Sequence, residues 1–188
     1  MVEVAAAHPE AERVALWFQD EARVGRKGRV TRVWYERGRR PRGVRDLGSA
    51  SASLFGAVCP ERDTGCALVL PRASTAAMSL LLAEVSRALA PATHAVMVLD
   101  QAGWHTATDL AVPPNLTLVP LPAYAPELNG SEKVWQYLRA RSLSQRVFRD
   151  LGESLDACGA AWNRLLAEPG RLRSLTAFPW LPLCVTSS

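Results

Sequence analysis

Three acidic residues lie where the chain could bring them together to do chemistry. Residues 95–99 form an uninterrupted apolar run, typical of a strand buried on both faces, and Asp100 follows it directly. Residues 14–18 predict a first strand, which ends next to Asp20. Ligands of open α/β sheets bind beyond the carboxyl ends of the strands, so two neighbouring strands would deliver both aspartates to one crevice. A helix that crosses this crevice could supply Glu132 as a third acid.

Three carboxylates at one site would suit a hard divalent cation. Mg²⁺ and Mn²⁺ prefer oxygen ligands and retain several waters, whereas zinc prefers histidine or cysteine. Two such ions could activate a water or hydroxyl and stabilise the leaving oxygen of an in-line phosphoryl transfer. The candidate catalytic and metal-binding residues are therefore Asp20, Asp100 and Glu132. Glu21 and His105 are candidates for supporting groups that add a ligand or orient a water.

Several of these residues also have a purely structural interpretation. Asp100 could cap a following helix, since Asp is a favoured N-cap residue. Glu21 could be an exposed acid that balances the charge of the basic segment. His105 could find its hydrogen-bond partners within a short helix. A domain with 18 acidic residues always offers some triple of this kind, so the spacing of the acids is weak evidence by itself.

The third acid has a rival nearby in the sequence. Glu127 lies five positions before Glu132 and could take the same role. We favour Glu132 because Trp135 follows it by one helical turn and could anchor that helix in the core.

Charge is unevenly distributed along the chain. The net charge is +4, yet residues 23–45 contain ten basic residues and one acid, which leaves the rest of the chain acidic. A basic segment on an acidic body is the pattern expected for contact with nucleic-acid phosphates, although a solvated basic face is the alternative. The candidate DNA contacts are Arg26, Lys27, Arg29, Arg32, Arg39, Arg40 and Arg42.

Length and composition exclude several classes of protein. The 188 residues suffice for one domain with a substantial core, and no apolar run is long enough to span a bilayer. The first residues carry acids and lack the basic start and apolar core of a secretory signal. The four cysteines form no CxxC pair and show no zinc-like clustering with the three histidines. We therefore expect reduced thiols in a cytoplasmic, nucleoid-associated protein.

The order of elements predicts a mixed α/β sheet with helices packed on it. The first half of the chain reads as an antiparallel meander of strands, and the second half alternates helix and strand. After the strand at residues 14–18, further strands are predicted at residues 30–35, 51–59, 66–70, 95–99 and 115–121. Helices are predicted at residues 74–89, 103–110, 128–141 and 150–168. We expect a single domain over residues 1–188.

The sequence motifs around the three acids resemble those of the DDE transposases of the mariner superfamily, in the branch found in bacterial insertion sequences. They read WFQDE at residues 17–21, LDQAGWH at 99–105 and LPAYAPELNGSEKVW at 121–135. The family has an Asp-Glu pair after its first strand, a Leu-Asp-Asn-Ala-x-x-His run after its fourth, and a Pro-Glu-Leu-Asn-Pro-x-Glu-x-x-Trp core in its third motif. Matched position by position, its metal-binding acids fall on Asp20, Asp100 and Glu132. Gln101 stands where the family usually has Asn, and Gly130 where it usually has Pro.

The resemblance implies a ribonuclease H-like fold, with a central mixed sheet of about five strands flanked by helices. It also implies an active site with two Mg²⁺ or Mn²⁺ ions, which cuts double-stranded DNA at transposon ends and joins the freed ends to a target. We expect the helix-turn-helix DNA-binding domain that precedes this domain in the family to be absent here. A separately encoded protein could supply it, and the chain could act as a homodimer. The alternative is a non-catalytic DNA-binding or accessory remnant of a transposase.

Overall fold

The computed structural model describes residues 2–25, 51–123, 125–143 and 148–178. Its strands are β1 (Arg13–Gly25), β2 (Ser51–Cys59), β3 (Thr64–Leu70), β4 (Thr93–Leu99) and β5 (Leu116–Pro120). Its α-helices are α1 (Val2–Ala7), α2 (Thr75–Ala88), α3 (Ser131–Leu138), α4 (Leu151–Leu166) and α5 (Arg171–Leu175). One-turn 3-10 helices lie at Gly103–His105 and Pro126–Leu128, and a wide π-helical turn at Arg139–Leu143 follows α3.

The five strands form one mixed sheet in the order β3-β2-β1-β4-β5. The first three strands pair antiparallel as a meander, and β1, β4 and β5 run parallel to one another. The long central strand β1 therefore joins an antiparallel half to a parallel half. The expected mixed α/β architecture is confirmed.

The sheet separates two apolar layers, because successive residues of a strand face opposite sides. Trp17 and Met97 face the layer that α2 covers. Phe18 comes one position after Trp17 and Val96 one position before Met97, and both face the layer beneath α3 and α4, which contains Trp135. The face on which a residue of β1 or β4 lies thus follows from whether its number is odd or even.

Helix α2 forms where the apolar spacing predicted it. Ser74 caps it, since its Oγ accepts a hydrogen bond of 3.1 Å from the backbone N–H of Ala77. Its buried residues recur at helical spacing and are Ala77, Met78, Leu81, Leu82 and Val85. The helix ends before Pro91, which cannot continue it. No helix within the described ranges is long and apolar enough to cross a membrane.

Several predicted boundaries were wrong. The first strand runs for 13 residues and does not end at residue 18, because it stays paired with β2 as far as Gly25 opposite Ser51. Asp20 therefore lies within a strand and not beyond its end. The helix predicted at residues 103–110 is a single turn, since Thr106 and Thr108 are poor helix formers. The strand predicted at residues 30–35 lies outside the described residues.

The helix predicted at residues 128–141 starts later and ends earlier, at Ser131–Leu138. Asn129 lies just before this helix and bonds to its first residue. Its Oδ1 accepts hydrogen bonds from the backbone N–H of Ser131 at 3.1 Å and from the Ser131 hydroxyl at 2.7 Å. A side chain that takes the first N–H groups of a helix fixes where the helix begins.

Gly130 lies directly against the sheet at the start of α3. A Cβ at this position would lie 2.7 Å from Cδ2 of Phe18, which is too short for two carbon atoms that are not bonded to each other. The ring of Phe18 is buried and cannot move away easily. Glycine in place of the family's usual proline is therefore matched to a large ring on β1.

We expect Gly130→Ala to lower the free energy of unfolding by about 1–3 kcal/mol, because it overpacks the contact with Phe18. Urea denaturation measures this change. Gly159→Ala in α4 is the matched control, since its Cβ meets nothing within 4 Å. A helix-interior alanine there should stabilise the protein by up to about 1 kcal/mol. Equal effects of the two substitutions would contradict the packing argument.

Candidate active site

The pairing of β1 with β4 sets Asp20 and Asp100 side by side. Phe18 lies opposite Val98 in this parallel register, so continuing by two residues brings Asp20 level with Asp100. Both positions are even-numbered and lie on the sheet face that α3 and α4 cover. The sequence expectation that neighbouring strands deliver both aspartates to one place agrees with this geometry. Only β4 ends at its aspartate, whereas β1 continues.

Asp100 is held in the turn that follows β4. Its Oδ1 accepts a hydrogen bond of 3.0 Å from the backbone N–H of Ala102. The same oxygen lies 2.8 Å from Nδ1 of His105, whose side chain is buried while that of Asp100 is 57% exposed. His105 Nδ1 also lies 2.9 Å from the carbonyl oxygen of Asp100. Asp100 therefore does not cap the one-turn helix that follows, whose N-cap is Ala102, and one of its oxygens stabilises the turn while the other can face a ligand.

Asp20 is held from two sides. The indole Nε1 of Trp135 donates a hydrogen bond of 2.9 Å to Oδ2, and the backbone N–H of Glu21 donates one of 2.7 Å to Oδ1. Trp135 is buried, so its donor has one defined position. Two donors on one carboxylate fix the direction of its remaining lone pairs.

A glycine in the neighbouring strand makes room for this indole. Gly56 of β2 lies opposite Asp20 in the sheet. A Cβ on Gly56 would come within 2.5 Å of Cη2 of Trp135, so no other residue fits there without displacing the ring. The missing side chain lets the indole pack closely against the sheet beside Asp20. The sequence reasoning did not identify Gly56, and it identified Trp135 as a core anchor without its hydrogen bond to Asp20.

Glu132 reaches the same region from the first turn of α3. The start of this helix is tied to β1, because Nδ2 of Asn129 donates a hydrogen bond of 2.9 Å to the carbonyl oxygen of Gln19, next to Asp20. Asn129 is buried and spans 110 positions of sequence with this bond. Asn129 is a further contributor that sequence reasoning missed, although it lies within the motif at residues 121–135.

The pKa of Asp20 responds to both of the other acids. The pKa of Asp20 is raised from its usual 3.8 to about 6, chiefly by burial and in addition by the charges of Glu132 and Asp100. The hydrogen bonds from the Glu21 N–H and from Trp135 act in the opposite direction, since they favour the charged carboxylate. Each of the other two acids is thus close enough to Asp20 to raise its pKa.

Such a cluster of carboxylates is suited to a divalent cation. The positive charge would offset the mutual repulsion, and the oxygen donors match Mg²⁺ or Mn²⁺. Among the described residues, the three carboxylates do not all lie within 4.8 Å of one another, so they are spaced more widely than the ligands of one shared ion.

The other sequence candidates lie in different surroundings. His105 contacts Asp100, as described above. Glu21 is odd-numbered and turns to the opposite sheet face, where Oε1 accepts a hydrogen bond of 2.8 Å from the Ser53 hydroxyl. Only its backbone N–H contributes to the site. Glu127 lies exposed in a one-turn helix, and the seven basic candidates at positions 26–42 lie outside the described residues.

Gln101, which stands where the resemblance has asparagine, makes a contact of its own. Its Nε2 donates a hydrogen bond of 2.8 Å to the carbonyl oxygen of Leu121, just beyond β5. The amide thus joins the loops that follow β4 and β5. It is adjacent to Asp100, so this bond also limits the movement of the turn.

Comparisons with known proteins agree with this arrangement. Residues 15–154 match the profile of the family described as DDE superfamily endonuclease. The uncharacterized protein y4pE/y4sA of Sinorhizobium fredii is 46% identical over 129 residues, which cover 69% of this chain and 96% of that protein.

Solved structures of the Mos1 transposase share the fold. The paired-end complex with the left transposon end has a TM-score of 0.63 at 14% identity, over 93% of this chain and 55% of that one. The mariner Mos1 paired-end complex with Mg has a TM-score of 0.62 at 15% identity, over the same shares of the two chains. The expected ribonuclease H-like fold is confirmed, and the chain spans a little over half the length of the transposase chains it matches.

The raised pKa of Asp20 predicts a pH dependence of stability in metal-free protein. The folded state favours the protonated carboxyl, so this contribution is fully present below the usual pKa of 3.8 and is lost as the pH rises through about 6. Relative to Asp20→Asn, the free energy of unfolding of the wild type should fall by an amount on the order of 2 kcal/mol between about pH 4 and pH 7. Urea denaturation of both proteins across this range, with a metal chelator present, measures the difference. A constant difference across the range would contradict the shifted pKa.

Proposed function

The chain belongs to the DDE superfamily endonucleases, and we propose that it is the catalytic domain of an insertion-sequence transposase that cuts and joins DNA strands with divalent metal ions. The observation that carries this proposal is the grouping of Asp20, Asp100 and Glu132 on one face at the end of β4, where each of the other acids acts on the charge of Asp20.

In the proposed site, Asp20, Asp100 and Glu132 hold two Mg²⁺ or Mn²⁺ ions. Such ions, when bound, activate a water or a DNA 3′ hydroxyl and stabilise the leaving oxygen of a phosphodiester. The raised pKa of Asp20 supports this assignment, because a partly buried carboxylate beside two others gains from a cation. The structures titled as Mos1 paired-end complexes with Mn and with Mg describe both metals for that protein.

The chain's own residues then have the task of positioning the carboxylates. Trp135 and the Glu21 N–H orient Asp20 from two sides, which leaves the carboxylate little freedom to rotate. The buried His105 and the turn at Ala102 hold Asp100. Glu132 stands on a helix whose start is fixed to β1 through Asn129. Ligands held in advance by such contacts do not have to be ordered when the metal binds.

The proposed substrate is double-stranded DNA at transposon ends and at a target. Residues 23–45, with ten basic residues, supply the phosphate contacts, chiefly through the arginines at positions 39, 40 and 42. The Mos1 structures are titled as strand transfer and paired-end complexes, the second with a transposon end, which supports a DNA substrate for this chain. We further propose that a separately encoded helix-turn-helix protein assists in end recognition, and that the active form is a homodimer.

The test of this proposal is nicking of supercoiled plasmid DNA in the presence of Mn²⁺. We expect the wild type to convert supercoiled to open-circular DNA and Asp100→Asn to reduce the rate by about 100-fold or more, because a neutral amide binds a divalent ion poorly. Asparagine keeps the Oδ1 acceptor for the Ala102 N–H, so the turn is preserved.

Asp109→Asn is the matched control, since Asp109 is an exposed acid nine positions further on and should tolerate the change without loss of rate. Equal nicking by folded Asp100→Asn and wild type would refute the assignment of Asp100. Absence of nicking by the wild type, in a repeat with duplex DNA bound and a DNA-binding partner added, would favour a non-catalytic accessory role.

A second prediction concerns the indole that orients Asp20. Trp135→Phe removes the Nε1 donor while keeping an aromatic ring, and we expect about a 10-fold loss of Mn²⁺ affinity. Isothermal titration calorimetry measures this affinity directly. Trp162→Phe is the control, because it makes the same change in the neighbouring indole of the same core, 6.0 Å away. An equal loss in both variants would indicate general loosening of the core, and no loss in Trp135→Phe would refute the orienting role.

A further inference from the structure

A second group of metal-ligating side chains lies at the other end of the sheet. His8, Glu10 and His94 each offer one ligand atom, and these three atoms lie within 4.8 Å of one another. His8 and Glu10 follow α1, and His94 is the second residue of β4. A strand advances about 3.3 Å per residue, so the six positions from His94 to Asp100 place this cluster about 20 Å from the acids. The two groups cannot share an ion.

His94 is positioned as a metal ligand would be. It is 2% exposed, and its Nε2 lies 2.8 Å from the hydroxyl oxygen of Thr117 on the adjacent strand β5. Because this hydroxyl engages Nε2, Nδ1 is the nitrogen left for a metal. A hydrogen bond to the far nitrogen of a ligating histidine is a usual feature of metal sites.

His8 and Glu10 complete the group from the N-terminal segment. Nδ1 of His8 and Oε1 of Glu10 are hydrogen-bonded at 3.0 Å, and an ion bound between these two atoms would replace this bond. The rings of His8 and His94 are stacked, with centroids 3.7 Å apart. Because a metal lies in the plane of each imidazole that binds it, the His8 ring has to rotate for both histidines to reach one ion. The Glu10 side chain is 70% exposed and that of His8 is 28% exposed, so both can adjust around the fixed His94.

An ion has a path to these residues. Glu10 and His94 line an open cleft of about 460 Å³, together with Ala92, Thr93 and Asn115. An accessible entry path is one of the requirements for a metal site, along with ligand type, distance and supporting hydrogen bonds.

We propose that His8, Glu10 and His94 bind one Zn²⁺ ion, with water as the fourth ligand. Two histidines and a glutamate are a donor set that zinc takes, in contrast to the three carboxylates at the far end of the sheet. The ion ties the N-terminal segment to the start of β4. Close to the start of β4, the carbonyl oxygen of Ala92 already accepts hydrogen bonds from the N–H groups of Glu12 at 2.9 Å and Arg13 at 3.2 Å. Zinc adds a second attachment four positions before the first.

The experiment is a Zn²⁺ titration of tag-free protein in excess Mg²⁺, with a chromophoric chelator as competitor and thermal unfolding as a second readout. We expect one Zn²⁺ per chain in this competition and a higher Tm in its presence, since a ligand that binds only the folded state stabilises it. His8→Gln should weaken binding by at least about 10-fold and remove the rise in Tm, because the loss of a ligand costs more than the loss of a supporting hydrogen bond.

Glu12→Gln is the matched control, because Glu12 is an exposed acid of the same segment outside the cluster, and it should bind Zn²⁺ like the wild type. Both substitutions are at residues that are not buried, so circular dichroism should show folded protein in each case. Equal Zn²⁺ affinity in His8→Gln and Glu12→Gln would overturn the proposal, because it would place the ion elsewhere, at the acids or at a thiol. Absence of stoichiometric binding by the wild type would overturn it as well.

Discussion

The hydrogen bond from Trp135 to Asp20 is the contact on which the arrangement of the site depends. It joins the helical layer to the central strand at the position where the carboxylate has to be held. The bond requires the indole to lie against the sheet, and this requires the absence of a side chain at Gly56. One glycine in β2, one ring in α3 and one acid in β1 therefore form a single unit. None of the three could be replaced independently of the other two.

The same region carries an energetic cost that the rest of the fold has to offset. Asp20 is partly buried beside two further acids, which makes its charged form unfavourable in the absence of a cation. Folded proteins accept such local conflicts at functional sites and compensate for them elsewhere. Here the compensation comes from two well-packed apolar layers, one on each side of the sheet. The layers fix the strands, and the strands hold together acids that would otherwise repel one another.

The parts of this structure that local pattern determines could be predicted from the sequence. The strand at residues 51–59, the capped helix after Ser74 and the placement of Asp100 after a buried strand all follow from hydrophobic spacing and capping chemistry. The length of β1 could not be predicted, because its second half is held by pairing with β2 and not by its own apolar pattern. Contacts between distant residues were also beyond reach. The bond from Asn129 to Gln19 and the meeting of Glu10 with His94 depend on the register of the finished sheet, which short stretches of sequence do not encode.

The parallel register of β1 and β4 has a consequence for how such a chain can change in evolution. Asp20 and Asp100 are neighbours because Phe18 lies opposite Val98, and the connection between the two strands plays no part in this pairing. Insertions or deletions in the loops that join β2, β3 and α2 would change the spacing of the two acids in the sequence and leave their spacing in space unaltered. A single residue inserted within β4 between Val98 and Asp100 would instead turn Asp100 to the opposite face of the sheet. The distance between the acids along the chain is therefore free to vary, whereas their position within each strand is not.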